Sequence, residues 1–425
     1  MVVFLGASRK SIEWKVRCIV VDVKMTRTFH PVGQGAFYSE EFCQGDRVIF
    51  RVVYDCGCRH GKANQQYGEA VVKDWMGKWN GDTRFDIDYL FISHFDFDHV
   101  SLLKVFADGG ARIGRVILPL LNDGEKEFLT DLYCNVYDRK SSGFLQSLIE
   151  KPEETLRAKV VRVKPVKDAK SLSREDFKEE DTSDVRVPSG TRFPVVGAGV
   201  DFDWRYIPCN YDDDSRGEAL RKAMRNKFGN AFDPYELKAF SSLMKHWGRG
   251  KRKAFRKLKE VYCAVDGNIN ENSMTVYSGP IGQSDDCGVE RSYVESRCGC
   301  ARCDPERELH CAVFPLSKIR GGVSVSPACV YTGDVDMRVA DVKSWYGGCW
   351  GNVGKIQVPH HGSRLSFARA PFDECHKRYC CPISCSDKSY YKHPHACVTN
   401  ALTWVGDFPI RVTETQEFTQ VLSIC

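Results

Sequence analysis

The chain has 425 residues, of which 42% are hydrophobic and 28% charged, and its formal net charge is +5. These proportions are typical of a folded globular protein and exclude wholesale disorder. A net charge this small does not by itself indicate a nucleic-acid partner, because the local distribution of Lys and Arg matters more. The length suits one large domain or two ordinary ones.

The first residues of the chain do not have the pattern that we expect of a targeting signal. Residues 1–5 are apolar, but Arg9, Lys10, Glu13 and Lys15 follow, so the apolar stretch stays below signal-peptide length. No other stretch approaches the roughly 20 apolar residues that a membrane-spanning helix needs. We therefore expect a cytoplasmic protein with no membrane partner. Its 20 cysteines should then be reduced thiols rather than disulfides.

Apolar runs near the start of the chain predict strands and one helix. The runs at residues 16–23, 48–54, 87–93 and 116–121 have the length and composition of strands. Residues 70–79 have the apolar spacing of a helix. The strand at residues 87–93 leads directly into a cluster of acidic and histidine side chains.

Three segments depart from this pattern, and we predict them to be additions to a single domain that spans residues 1–425. Residues 151–200 are charged and show no clear period, which predicts a peripheral segment or loop. Residues 215–262 are predicted to form a basic helical insert. Residues 279–327 are predicted to form a cysteine-rich insert, and apolar runs of strand length flank it at residues 274–277 and 328–332.

The cluster after the strand at residues 87–93 places four metal-binding side chains within six positions: His94, Asp96, Asp98 and His99. In an extended loop, residues two apart project the same way, so the first three can converge. Two carboxylates and two imidazoles would be costly to bury unless a cation compensates them. Imidazole nitrogens and carboxylate oxygens suit zinc, manganese or iron. The alternative, a solvated acidic turn, is disfavoured by this density of ligands after a buried strand.

Two later segments offer further ligands at strand ends. Asp334 follows an apolar strand and a glycine turn, where an aspartate can bridge two metals. His360 and His361 also follow an apolar run, and either ring could be the ligand. A lone Thr-Gly-Asp is a common turn, but the three segments together, each at a strand end, predict a two-metal site.

These segments resemble the metallo-β-lactamase superfamily, and within it the hydrolase domain of the competence DNA-uptake channel ComEC and its stand-alone soluble relatives. Seven segments carry the resemblance, in the family's order and over nearly the whole chain. They are Val32-Gly-Gln-Gly35, Tyr54-Asp-Cys-Gly57, Ser93-His-x-Asp-x-Asp-His99, Asn270-Glu-Asn-Ser273, Thr332-Gly-Asp334, Pro359-His-His-Gly-Ser363 and Tyr391-Lys-His-Pro-His395. The membrane segments of the competence channel are absent.

The resemblance implies a mixed α/β (α+β) fold, the four-layer αββα metallo-β-lactamase sandwich, here with the basic and cysteine-rich inserts. It also implies two divalent metal ions, zinc or manganese, as cofactors. The implied metal ligands are His94, Asp96, Asp98, His99, Asp334 and one of the pair His360 and His361.

Three features depart from the pattern of the wider superfamily. Asp96 stands where most members have histidine, although the ComEC-like branch shares the aspartate. Ala36 stands where an acidic residue usually follows the glycine turn. The usual third-motif histidine is missing, and Asn272 and Ser273 occupy that region instead. The resulting oxygen-rich ligand set favours manganese over zinc.

Such a site indicates metal-assisted hydrolysis, in which bound metals lower the pKa of a water to near neutrality. Asp98 would orient that water or accept its proton. His393 or His395 would contact a phosphoryl oxygen or protonate the leaving group. We predict further substrate contacts from four polar residues of the motif segments: Asn272, Ser273, Ser363 and Lys392.

The resemblance points to a phosphodiesterase or nuclease acting on DNA or another nucleic acid. The basic helix is consistent with salt-sensitive phosphate contacts through Arg249, Lys251, Arg252, Lys253, Arg256 and Lys257. A small phosphorylated or cyclic-nucleotide substrate is an alternative. A second alternative is a catalytically degenerate scaffold that binds nucleic acid or a protein partner, which the missing third-motif histidine favours.

The cysteine-rich insert offers a candidate structural zinc site. Its thiols and imidazole are of the right chemical type, although their spacing is not that of a standard finger or ribbon. The alternative is a set of ordinary free thiols. The candidate ligands are Cys298, Cys300, Cys303, His310 and Cys311.

Overall fold

The structure is a computed structural model, and it describes most of the chain outside the two predicted inserts. The described residues are 23–78, 85–121, 126, 129–130, 139–167, 171–197, 200–211, 222–223, 225–226, 273–282, 289–298, 326–374, 377–389 and 391–424.

Sixteen strands and seven α-helices make up the described part of the chain. The strands are β1 (Val23–Phe29), β2 (Phe37–Gln44), β3 (Arg47–Cys56), β4 (Asp86–Phe91), β5 (Arg112–Pro119), β6 (Lys159–Val166), β7 (Asp184–Pro188), β8 (Phe193–Gly197), β9 (Val200–Tyr211), β10 (Met274–Pro280), β11 (Val289–Cys298), β12 (Ala328–Tyr331), β13 (Val353–Ile356), β14 (Cys380–Ser384), β15 (Phe408–Val412) and β16 (Gln416–Ile424). The helices are α1 (Lys62–Gly77), α2 (Phe97–Val100), α3 (Leu103–Asp108), α4 (Arg139–Glu150), α5 (Pro152–Leu156), α6 (Val342–Trp345) and α7 (Ala396–Trp404).

The strands form one hydrogen-bonded path in the order β11-β16-β1-β2-β3-β4-β5-β6-β9-β10-β12-β13-β14-β15, with β7 beside β6 and β8 beside β9. β6 links the two halves of this path, because residues 159–163 pair with β5 while Pro165 and Val166 pair with β9. The pairs β3–β4, β4–β5 and β5–β6 in the first half are parallel. The second half is parallel from β12 to β15. The described chain is therefore a mixed α/β structure with a large sheet and few helices, as the sequence predicts.

The buried apolar side chains form three clusters. The largest contains strand residues from both halves, such as Phe42 and Tyr54 from the first and Trp204 and Val276 from the second. A second cluster packs α1, α3 and α4 on strands of the first half, and a third packs α6 and α7 on strands of the second half. Burial of this apolar surface is the main force that holds the halves and helices together.

The parallel strands bring the predicted chemistry to one edge. In parallel sheets, the loops after the carboxyl ends of neighbouring strands meet, and ligands bind there. Asp55 is near the end of β3, and the His94 to His99 segment follows β4. Asp334 follows β12, and the paired histidines follow β13.

The structure corrects the prediction that residues 151–200 are a peripheral loop. β6 lies inside this segment and occupies the junction between the two halves of the sheet. Its charge is misleading, because Arg162 is buried and pairs with Glu153 at 2.8 Å and with Asp184 on the neighbouring strand β7. The sequence alone does not distinguish a buried arginine with two carboxylate partners from an arginine exposed in a charged loop.

The other elements predicted from the early apolar runs are confirmed where the structure describes them. β3, β4 and β5 cover the predicted strands at residues 48–54, 87–93 and 116–121, with small shifts at their ends. α1 contains the start of the predicted helix and begins earlier, at Lys62. Of the helices in the described ranges, none has both the length and the apolar character needed to cross a bilayer.

A buried ion pair between β1 and β2 is connected to β12, one of the strands that carry the site. Arg27 on β1 donates to Glu40 on β2 at 2.6 Å, and both side chains are shielded from solvent. Glu40 also accepts hydrogen bonds from the hydroxyls of Tyr206, Ser278 and Tyr331, on β9, β10 and β12. Tyr331 is the last residue of β12, three positions before Asp334, so this network ties the second half of the sheet to the first near the predicted site.

We predict that Arg27→Met lowers the free energy of unfolding by about 3–5 kcal/mol, because Glu40 would remain buried without its cation. Urea unfolding followed by circular dichroism measures the change. Arg112→Met is the matched control, since the Arg112–Asp86 ion pair is largely exposed and such pairs contribute about 1 kcal/mol or less. Equal losses in the two variants would contradict this account of the buried pair.

Candidate metal centre

A buried carboxylate, Asp55, holds the centre of the site. It accepts hydrogen bonds from the backbone N–H and the hydroxyl of Ser93, both at 2.7 Å. A third contact comes from Nδ1 of His99 at 2.8 Å. When Nδ1 donates to a carboxylate, the neutral imidazole presents Nε2 as its metal-binding nitrogen. Asp55 therefore orients His99 as a ligand.

The His94 to His99 segment enters α2 directly from β4. The backbone carbonyl of Asp96 accepts hydrogen bonds from the N–H groups of His99 at 2.9 Å and Val100 at 3.1 Å, which starts the helix. His99 is fully buried, whereas the Asp96 and Asp98 side chains are partly exposed. The main chain of Asp96 therefore holds the start of α2.

His94 and Asp334 share a buried serine. The Oγ of Ser273 lies 3.1 Å from His94 Nδ1 and accepts the backbone N–H of Asp334 at 3.1 Å. Ser93 Oγ is also 2.8 Å from His94 Nδ1. With Nδ1 occupied by hydroxyls, the Nε2 atom of His94 faces Asp334, whose Oδ2 is 4.0 Å away. Through its hydroxyl, Ser273 therefore supports both His94 and Asp334.

A glutamine locks the turn that presents Asp334. The Oε1 atom of Gln357 accepts the backbone N–H groups of Thr332 at 2.9 Å and Gly333 at 3.2 Å. Gly333 has φ of +55°, and a Cβ there would lie 2.9 Å from the Cβ of Ser93. Only glycine meets both conditions at little cost. The turn therefore packs directly onto the residue before His94.

The paired histidines point to different carboxylates. Both have positive φ, 49° for His360 and 56° for His361. His361 Nδ1 is 3.0 Å from the carbonyl of Ser384, and its Nε2 is 3.2 Å from Asp98 Oδ2. His360 Nε2 is 3.7 Å from Asp334 Oδ2. Non-glycine residues in this backbone region carry strain and cluster at functional sites.

The ligand atoms form two overlapping groups within the described residues. One group is His94, His99 and Asp334, and the other is Asp98, His99 and His361. In each group, the candidate ligand atoms lie within 4.8 Å of one another. His99 belongs to both. Asp96 and His360 belong to neither group, so the structure brings together five of the seven predicted ligands.

The chemistry of these atoms fits a divalent metal. Across the described part of the chain, seven buried side-chain atoms make no hydrogen bond, and three of them are His94 Nε2, His99 Nε2 and Asp334 Oδ1. Unpartnered polar atoms are costly to bury, and they are rare in folded proteins. A bound cation would satisfy all three at once, and imidazole with carboxylate suits zinc or manganese.

Burial and neighbouring charges shift the pKa values of these groups apart. Burial, with a smaller contribution from His99, lowers the pKa of His94 to about 4. Burial also disfavours a charged His99, but the carboxylates of Asp334 and Asp55 outweigh it and raise its pKa well above the usual value. Burial opposes ionisation of Asp98, yet the hydrogen bond from His361 lowers its pKa to about 2. These shifts favour the ionised form of the Asp98 carboxyl, the protonated form of His99 and the neutral form of His94.

The C-terminal histidines lie beside this centre. The ring centroid of His393 is 5.8 Å from that of His360 and 6.4 Å from that of His361. His395 is 4.9 Å from His393 by the same measure, and its Nδ1 accepts the backbone N–H of Arg364 at 3.3 Å. Burial, with repulsion from the neighbouring imidazoles, lowers the pKa of His393 to about 3.

The predicted substrate contacts differ in their access to solvent. Ser273 is fully buried, and its hydroxyl bonds to the ligand residues. Ser363 is also buried, and its Oγ accepts the backbone N–H of Leu365 at 3.3 Å. Lys392 is exposed and lies beside His393. Of the described candidates, Lys392 alone is placed to meet a substrate from solvent.

Several predicted residues lie outside the part of the chain that the structure describes. Cys298 is the last residue of β11, and it alone of the candidate structural-zinc ligands falls within the described residues. The remaining predictions stay predictions from the sequence, for Asn272, Arg249, Lys251, Arg252, Lys253, Arg256, Lys257, Cys300, Cys303, His310 and Cys311.

Sequence reasoning assigned no role to Asp55, Ser93 or Gln357. Asp55 stands in the Tyr54-Asp-Cys-Gly57 segment, at a strand end that leads into a glycine turn, and this was the available signal. Gln357 sits in an apolar run and carries no motif signal. Its role depends on a turn 24 residues earlier in the chain.

Residues 50–115 match the family model of the metallo-beta-lactamase superfamily. The matched segment runs from within β3 to within β5, so it contains Asp55 and the whole His94 to His99 segment. A comparison with curated proteins finds no match. The superfamily match and the His/Asp groups both indicate a metal-dependent hydrolase.

We predict that Asp55→Asn weakens metal binding about 10- to 100-fold, because residues that orient a ligand histidine typically contribute this much. Chelator competition with Zn²⁺ or Mn²⁺ measures the affinity. Asp88→Asn is the matched control: Asp88 lies on β4 and accepts a backbone N–H from Arg51, away from the ligand groups. An unchanged affinity in Asp55→Asn would show that His99 is oriented without it.

We also predict that metal binding releases protons and strengthens as pH rises from 6 to 8. The pKa values of His99 and His361 are raised in the metal-free site, so both rings retain protons that a metal must displace. Calorimetric titration with Mn²⁺ in buffers of different ionisation enthalpy measures the release. A heat of binding that is independent of the buffer, with an affinity independent of pH, would contradict the prediction.

Proposed function

We propose that the protein is a metal-dependent phosphodiesterase that cleaves nucleic acid, DNA in particular. The observation that carries the proposal is the pair of overlapping ligand groups that share His99. Three of their inward atoms, His94 Nε2, His99 Nε2 and Asp334 Oδ1, make no hydrogen bond among the described residues, although the last two lie 3.2 Å apart. A degenerate scaffold has no evident reason to retain such an arrangement at the cost of burying it.

His99 has one nitrogen, Nε2, left for a metal, because its Nδ1 bonds to Asp55. Two metals, zinc or manganese, would be held by His94, Asp98, His99, Asp334 and His361, with His99 a ligand of one of them. When bound, they supply positive charge that lowers the pKa of a water and stabilises the oxygens of the transition state. Asp98 has a partly exposed carboxylate, so it can also orient an incoming water. The two groups together hold three imidazoles and two carboxylates, a mixture that suits zinc or manganese.

His393 and His395 have separate roles in this proposal. The low pKa of His393 keeps its ring neutral near pH 7, so it is suited to hydrogen bonding and not to acid catalysis. His395 accepts a hydrogen bond at Nδ1, so its neutral ring carries the proton on Nε2. That N–H can donate to a phosphoryl oxygen or to the leaving group.

The substrate class is supported by cationic residues around the site. Arg364 follows the paired-histidine turn and bonds through its backbone to His395. Lys392 stands next to His393, and Arg59 lies close to Tyr391, the residue before Lys392. Arg and Lys near a hydrolytic centre favour a phosphate backbone as substrate. The basic residues predicted from Arg249 to Lys257 would supply further phosphate contacts.

The architecture forms part of the proposal. Strand residues of both halves share one core, while helices cover the first half in a second cluster and the second half in a third. This alternation supports the four-layer αββα sandwich. The ComEC-type relationship is supported by the seven motif segments, of which the superfamily match covers two in full.

The test is cleavage of single-stranded and double-stranded oligodeoxynucleotides by the purified chain with Mn²⁺ or Zn²⁺. We predict cleavage that EDTA abolishes and that Asp334→Asn reduces about 100-fold or more, since a lost ligand costs at least as much as a lost ligand orienter. Asp341→Asn is the matched control, because Asp341 caps α6 and is exposed.

Three other results would redirect the assignment. Hydrolysis of cyclic or small phosphodiesters without cleavage of DNA would favour a small phosphorylated substrate. Bound metal without any phosphodiester hydrolysis would contradict the nuclease proposal. Neither bound metal nor activity would favour the degenerate scaffold.

A further inference from the structure

Tyr391 occupies an unusual position beside the metal centre. Its side chain is 54% exposed, although it is two residues from the partly buried His393. The two rings are nearly parallel, with centroids 5.9 Å apart and an interplanar angle of 30°. His393 in turn is stacked on His361, a residue of one ligand group, at 6.4 Å. An aromatic series therefore leads from the ligand group to an exposed tyrosine ring.

The turn that carries Tyr391 is anchored to the motif loops. Ser389 Oγ donates to Gln34 Oε1 at 3.3 Å and accepts the backbone N–H of His393 at 3.2 Å. The backbone carbonyl of Gln34 accepts the N–H of Arg59 at 2.8 Å. The guanidinium carbon of Arg59 lies 5.9 Å from the Tyr391 ring centroid. The tyrosine and the arginine are thus held together by the loops that position the ligands.

Exposure alone does not distinguish Tyr391 from other aromatic side chains in the described part of the chain. Trp404, at the end of α7, is 81% exposed, more than Tyr391. No ring contact or cation–π contact of Trp404 occurs among the described residues. Single exposed apolar side chains are ordinary on protein surfaces. Tyr391 differs because it combines a ring face, a nearby guanidinium and proximity to the ligand histidines.

We propose that Tyr391 and Arg59 form a base-stacking subsite for single-stranded nucleic acid, which receives a nucleobase close to the phosphodiester to be cleaved. This inference rests on the proposed function and names the part of the substrate that the site recognises besides phosphate. Aromatic rings bind bases through their faces, and arginine adds electrostatic attraction. Because every base has such a face, the subsite tolerates any sequence.

The subsite also predicts a preference between strands. Bases in a duplex are already stacked on each other, so a protein ring must compete with that stacking. Bases of a single strand are free to stack on Tyr391. Cleavage of single-stranded substrate should therefore depend on this residue more strongly than cleavage of duplex.

The experiment measures cleavage of two single-stranded oligodeoxynucleotides by the Mn²⁺-loaded full chain. One is a 12-mer with its bases, and the other is a 12-mer in which abasic tetrahydrofuran residues replace the nucleosides. We expect Tyr391→Ala to raise KM for the base-containing strand roughly 5- to 100-fold and to leave KM for the abasic strand unchanged. Tyr391→Phe should retain the native KM, because it keeps the ring. Trp404→Ala is the matched control for loss of an exposed aromatic and should leave both KM values unchanged.

A binding measurement separates this inference from the proposed function. Fluorescence anisotropy of both labelled strands in EDTA reports affinity without cleavage, for the native chain and for Tyr391→Ala. If the native chain cleaves no phosphodiester, the proposed function fails, and a loss of affinity confined to the base-containing strand still supports the subsite. Equal KM and equal affinity in native chain and variant would overturn the subsite, as would an equal loss on both strands or no binding at all.

Discussion

The site depends on one buried carboxylate. Asp55 has no exposure to solvent, and a carboxylate so placed is stable only when donors surround it. Those donors are the backbone and hydroxyl of Ser93 and the Nδ1 of His99. These hydrogen bonds compensate the cost of burying Asp55. They also set the tautomer of His99, which both ligand groups share, and hold Ser93, the residue before His94, in place.

Close backbone contact explains how segments far apart in sequence meet around this carboxylate. A Cβ on Gly57 would lie 2.5 Å from the carbonyl carbon of Asp98, so only a glycine permits the two loops to touch. Ala36 bonds through its backbone to both Asp98 and Gly57, at 3.0 and 2.8 Å. The absence of an acidic side chain at position 36 therefore leaves the packing of these loops intact, because main-chain groups make these contacts.

The sequence predicts those parts of the structure whose signals are local. An apolar strand followed by His94, Asp96, Asp98 and His99 predicts both the strand and the concentration of ligands, and the superfamily match covers this region. β6 was missed because the partners of Arg162, which neutralise it, are distant in sequence. The supporting role of Ser273 was missed for the same reason: a serine acquires it only when the fold brings His94 and Asp334 to either side.

The paired histidines show why local sequence could not separate two adjacent candidate ligands. Positive φ at both residues turns the chain so that the rings diverge, with an interplanar angle of 70°. His361 then faces Asp98 inside a ligand group, while Nδ1 of His360 lies 2.9 Å from Ser366 Oγ. Strain of this kind persists only where surrounding contacts overdetermine it. Here those contacts come from Gly333, which accepts the N–H of His360. The turn of Asp334 therefore also selects which histidine enters the site.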